Sequence, residues 1–105
     1  VSDPHHVIPQ QRIKIARSAV AVKVKTRGLS ALTFAEWKLY DTPLSVILSD
    51  RRNIVTLSRR LHHRAHNGFE RLRENQLPTG IHDFAAEYGL EAALDHELRL
   101  MSTSR

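Results

Sequence analysis

The chain contains no cysteine, which excludes disulfide staples and cysteine-held zinc clips and leaves hydrophobic burial, with any histidine-held metal, to stabilise the fold. It has no apolar run approaching the roughly 20 residues needed to cross a bilayer, and its first residues, VSDPHH, lack the basic-then-apolar layout of a secretory leader. The expectation is a soluble, cytoplasmic protein with no membrane partner. Aromatic residues make up only 6% of the chain, and nothing in it looks like base readout. Phe34, Trp37, Tyr40 and Phe84 fall at helical spacings that suit a core. No internal repeat or low-complexity tract is present, and the few glycines and prolines divide the chain into short segments.

What remains is an ordinary globular composition. With 105 residues, 41% of them hydrophobic and 26% charged, the chain is expected to form one domain with one modest core. Its net charge of +5 is unevenly spread. Residues 1–78 hold 14 Lys and Arg against 6 Asp and Glu, a net +8, whereas residues 79–105 hold 2 against 5, a net −3. The basic part is where a polyanion would bind; the plainer alternative is a solvated basic surface.

Pro4 and Pro9 bracket a short extended piece, His5 to Ile8, because proline and the residue before it both avoid helix interiors. From about Gln11 to Lys25 the apolar spacing favours a helix with an ambiguous valine-rich end. Thr33, with Glu36 three residues on, reads as a capping box opening a helix through Trp37 to about Tyr40, stopped by Asp41-Thr42-Pro43. Leu44 to Leu48 is a short apolar run, Ser49 to Arg52 a polar turn, and Asn53 to Leu57 a brief β-branched strand. Ser58 suits the N-cap of a helix carrying His62 and His66 and ending near Asn67-Gly68. After Pro78-Thr79-Gly80, two helices are expected over about 81–88 and 91–98, separated by Gly89, with apolar residues that pack back on the first part.

Five of the seven histidines fall in two clusters, His5-His6 and His62-His63-His66. Neutral imidazole is the commonest transition-metal ligand and exchanges protons near neutral pH. Histidines at i and i+4 on a helix share a face, and a third from a neighbouring strand would complete an open three-ligand site. Surface histidines gathered by chance are the alternative that spacing alone leaves open.

The full pattern resembles the HNH, or ββα-metal, endonuclease family. HHVIPQ is similar to the family's first strand, and NIVTLSRRLHHRAH to its second strand and metal-binding helix, N-L-V-x-L-C-x-x-C-H-x-x-x-H. The likeness covers residues 5–9 and 53–66. It implies an α+β, mostly helical fold in which a ββα-metal finger is joined by additional packing helices. The core motif would occupy residues 4–9 and 50–68 of a single domain 1–105, with a helical insertion at 10–49 and C-terminal helices at 79–99. The implied activity is hydrolysis of DNA phosphodiester bonds with low sequence specificity. His6 would be the general base, Asn53 would hold the two strands and orient His6, and His5, His62 and His66 would bind one divalent ion. Ser58 and Leu61 stand at the family's usual cysteine positions, and His5 replaces the more usual Asp. An all-imidazole inner shell favours Zn, Ni, Co or Mn over Mg and leaves the ion's identity open.

Arg12 and Arg17, with Lys14, follow the first motif, and Arg51, Arg52, Arg59, Arg60, His63 and Arg64 surround the second, an arrangement expected to contact the backbone of double-stranded DNA. His82 and His96 read as surface or capping groups. Two rival readings stand beside the nuclease: a non-catalytic basic nucleic-acid-binding module with a structural metal, and a toxin or effector nuclease with a cognate inhibitor. A protein partner that directs or inhibits cutting fits the low expected specificity. Phage and mobile-element settings both use small proteins of this family.

Overall fold

A computed structural model describes residues 2–58 and 77–103. The chain opens with strand β1 (Ser2–His6), turns at Pro9 into the long helix α1 (Gln10–Arg27), and continues through a short 3-10 turn (Leu29–Ala31) to α2 (Phe34–Asp41) and α3 (Leu44–Leu48). A second 3-10 turn (Arg51–Asn53) leads into β2 (Ile54–Ser58), and the described part ends with α4 (Ile81–Tyr88) and α5 (Glu91–Thr103). The architecture is α+β and mostly helical, with one small two-stranded sheet. No described helix is long and apolar enough to cross a membrane.

β1 and β2 run antiparallel, with His6 opposite Ile54, His5 opposite Val55 and Pro4 opposite Thr56. Proline is tolerated at position 4 because its missing N–H can face the unpaired side of a strand with one described neighbour. The helices arise from local chemistry. Gln10 follows Pro9, whose extended backbone sets the helix entry and whose carbonyl accepts from Arg12 and Ile13. α1 stays helical through its valine-rich end and stops at Gly28, where φ is 86°, a value that L side chains rarely adopt. At Thr33 the capping box is complete: its hydroxyl accepts from the Glu36 amide at 3.1 Å, and the Glu36 carboxylate accepts from the Thr33 amide at 3.0 Å. Leu44–Leu48, an unassigned apolar run in sequence, is a helical turn begun by Pro43 that buries Ile47.

α1 packs along α2, α2 along α4, and α4 along both α5 and the 3-10 turn that precedes β2. The core is one cluster drawn from every layer, including Val7, Ile8, Ile13, Val20, Leu39, Ile47, Phe84, Tyr88 and Leu94. The expectation that the α2 aromatics belong to it is corrected: Phe34 is 77% exposed, Trp37 44% and Tyr40 39%, whereas Phe84 is fully buried. α2 is about two turns long, and Leu39 is the residue it buries. At 100° per residue Phe34 and Trp37 then fall on the far side of the helix. The expected helix bearing His62 and His66 lies outside the described residues.

Candidate functional site

The first and second motifs meet where β1 ends and β2 begins. Val7 donates its amide to the Asn53 carbonyl at 2.9 Å, extending the ladder one step past the paired residues. The Asn53 side chain then takes over the role of a further strand residue. Its Oδ1 accepts from the Ile8 amide at 2.8 Å, and its Nδ2 donates to the Ile8 carbonyl at 3.1 Å, across 45 positions of sequence. Asn53 is the buried polar residue among the described residues, with no exposed surface. Asparagine suits the place because its amide presents one donor and one acceptor in the layout of a peptide group. A carboxylate could only accept and would face the Ile8 carbonyl.

His6, the last residue of β1, is half-buried and hydrogen-bonds through Nε2 to the Leu48 carbonyl at the end of α3, at 2.7 Å. A carbonyl oxygen can only accept, so Nε2 carries the proton and Nδ1 carries the lone pair of the neutral ring. Asn53 does not touch the His6 ring; it fixes the backbone on which His6 stands. His5 precedes it, half-buried and opposite Val55. Consecutive strand residues project to opposite faces, so the two rings of the pair are directed apart and are suited to separate tasks.

Of the expected metal ligands, His5 lies within the described residues, while His62 and His66 lie outside them. Among the described residues no three His, Asp or Glu side chains gather into a group able to hold an ion. One imidazole does not make a metal site.

The expected phosphate-contacting residues divide sharply. Arg12 is exposed on the first turn of α1 and donates to His96 Nε2 on α5 at 3.3 Å. Arg51 is exposed at the 3-10 turn. Arg17, by contrast, donates to the carbonyls of Leu39, Tyr40 and Thr42 at 3.1, 3.5 and 3.1 Å, capping the C-terminal end of α2. Arg52 is held more firmly still: it makes two bonds to the Asp50 carboxylate at 3.0 and 2.7 Å and one to Glu87 on α4 at 2.8 Å. Its guanidinium stacks over Phe84, with 5.6 Å to the ring centroid. Arg17 and Arg52 are therefore engaged by the framework. Arg59, Arg60, His63 and Arg64 lie outside the described residues.

The charges around Arg52 form a chain that sequence reasoning did not find, since Glu87 is 35 positions away. The Asp50 carboxyl is lowered below its usual range, chiefly by its hydrogen bond from Arg52. Glu87 is lowered first by Lys38 and then by Arg52. The same contacts, led by Asp50, raise Arg52. The result is a tie between the turn that ends in Asn53 and the helices α2 and α4. Comparisons with protein-family models, with curated proteins and with solved structures gave no match to this chain.

Proposed function

We propose that the chain is a metal-dependent endonuclease of the HNH type, cutting DNA with His6 as general base. The observation that carries the reading is the Asn53 clasp. The two motifs that resemble the family lie far apart in sequence, and the β1–β2 pairing with the Asn53–Ile8 ring brings them together. In this reading the sheet is the two-stranded part of a ββα-metal finger, with the helix bearing His62 and His66 as its third element.

The chemistry follows from the residues. His6, held through Nε2–H on the Leu48 carbonyl, presents Nδ1 as the acceptor for a proton from water attacking phosphorus. His5, with His62 and His66, would hold a divalent ion, which when bound offsets charge on the phosphate and on the departing 3′ oxygen. Arg12 and Arg51, both exposed, are the described arginines placed to meet a DNA backbone. The products carry a 5′-phosphate and a 3′-hydroxyl.

Plasmid nicking across a panel of divalent ions, with and without chelator, tests the reading. Ion-dependent nicking that disappears in His6→Ala supports it. Salt-sensitive DNA binding with no nicking under any ion replaces it with the non-catalytic binding module.

A further inference from the structure

We infer that the outer face of α1 is a docking surface for an acidic amphipathic helix of a partner protein. The inner face of α1 is used: Ile13 and Val20 are buried, and Ala16 and Val24 pack against the core. A second stripe lies on the opposite side. Ile15, Ala19, Val22 and Thr26 follow one another at intervals of four, three and four, and all four are exposed, Ile15 by 51% and Val22 by 61%. A helix apolar on two opposed faces has one face more than its own core can bury. The second stripe is one residue wide, the width of a coiled-coil seam.

The charges bordering the seam select its occupant. α1 carries Arg12, Lys14, Arg17, Lys23, Lys25 and Arg27 and no Asp or Glu. With Ile15 and Val22 at the d positions of a heptad and Ala19 and Thr26 at the a positions, Lys23 falls at e and Lys25 at g, one on each side. Lys23 is paired with Glu36 of α2 at 2.9 Å, which offsets its charge on that side. Lys25 and Lys14 make no ion pair among the described residues. A second copy of α1 would bring lysines against lysines, an arrangement that disfavours self-pairing. A membrane surface calls for a broad apolar face bearing large side chains, which a seam of Ile, Ala, Val and Thr does not offer. A helix with apolar a and d positions and Glu at e and g complements both the seam and its basic borders. Beside the seam, Arg17, Ser18, Ala21 and Tyr40 line an open cleft of about 230 Å³ between α1 and α2, a seat for a large partner side chain. The surface lies outside the His6–Asn53 junction and does not depend on the nuclease reading.

The test uses the full chain and two labelled synthetic helices of about three heptads, alike at a and d but carrying Glu or Lys at e and g, with binding read by fluorescence anisotropy. The Glu helix is expected to bind at least about tenfold tighter than the Lys helix and to weaken as salt is raised. Val22→Ser and Ile15→Ser, both at exposed positions, should each weaken it roughly tenfold while leaving the circular dichroism spectrum and melting temperature unchanged. Lys25→Glu should shift the preference toward the Lys helix. Equal binding of the two helices, or indifference to Val22→Ser, overturns the proposal. So does sedimentation of the chain alone as a dimer that Val22→Ser dissociates, which would make the occupant a second copy. Binding to phosphatidylserine vesicles without binding to the Glu helix would overturn it as well.

Discussion

Asn53 and Ile8 form a closed ring of two hydrogen bonds, 2.8 and 3.1 Å long, in which a side-chain amide stands in for a strand backbone. Both partners are fully buried, so neither polar group on Ile8 has water to fall back on. The ring sits where the chain leaves β1 for α1 and where it enters β2, and it joins those two departures. His6 stands two residues from Ile8 on the same backbone.

Asn53→Ala should therefore destabilise the protein by about 2–6 kcal/mol, since it strands a buried N–H and a buried C=O at about 1–3 kcal/mol each. Asn53→Asp should cost at least as much, because a carboxylate satisfies the amide of Ile8 but opposes its carbonyl in a site without solvent. Urea unfolding curves measure both. A change below about 0.5 kcal/mol, the scale of an ordinary surface substitution, would show that the ring does not hold the junction.

Acid should weaken the tie centred on Arg52. Asp50 and Glu87 are held below the ordinary carboxylate range by the cations they face. A carboxylate depressed in the folded state contributes stability that is fully present above its unfolded value and lost as pH falls through its folded value. The melting temperature should thus be level from neutral pH down to about 5 and decline as pH falls through the ordinary carboxylate range, about 4, and below it. In Glu87→Gln the decline should be shallower, with a lower plateau at neutral pH. Parallel curves for the two proteins would remove Glu87 from the linkage.

Gly80 is required by the same arginine. A Cβ there would lie 2.7 Å from Arg52 Cγ and 2.9 Å from Cδ, in the middle of a side chain whose head is fixed at Asp50 and Glu87. Gly80→Ala should cost about 1–3 kcal/mol, the usual range for overpacking. In an Arg52→Ala background the stem is gone and the cost should largely vanish, so a double-mutant cycle should show strong coupling. Additive effects would place the strain elsewhere.

What the sequence reveals and conceals follows the range of the interaction. The capping box at Thr33 and Glu36, the stop at Gly89 with φ 66°, and the two helices around it are set by neighbours within a few residues, and each is legible. Helix α3 was hidden because five residues are too few for periodicity to separate a helical turn from an apolar run. The exposure of Phe34 and Trp37 was hidden because spacing shows which residues share a face but not whether that face is covered. At the site, the pairing of the segment that carries His6 with the one that follows Asn53 could be read from the motif, whereas the bond from His6 to Leu48 could not. Its acceptor is a backbone carbonyl 42 residues away, a group every residue possesses. The roles of Arg17 and Arg52 were obscured for a related reason, since an arginine serving helix carbonyls or carboxylates looks the same in sequence as one serving phosphate.

The His6–Leu48 bond yields the sharpest separation of structure from chemistry. The ring donates through Nε2, and its other nitrogen is the basic atom the proposed mechanism uses. Gln is long enough to place an amide N–H near the position of Nε2 and can preserve the bond to Leu48, but an amide cannot accept and hold a proton as imidazole does. His6→Gln should retain most of the stability lost in His6→Ala, where the half-buried carbonyl is left without this donor at a cost of about 1–3 kcal/mol. In plasmid nicking the order should be different: both variants should lose cleavage to the same extent, at least about a hundredfold, the lower end of what a positioned base contributes. If His6→Gln unfolds as readily as His6→Ala, the bond to Leu48 is not what stabilises this end of β1. If His6→Gln still nicks at near the wild-type rate, the proton acceptor is another group and His6 is a structural residue.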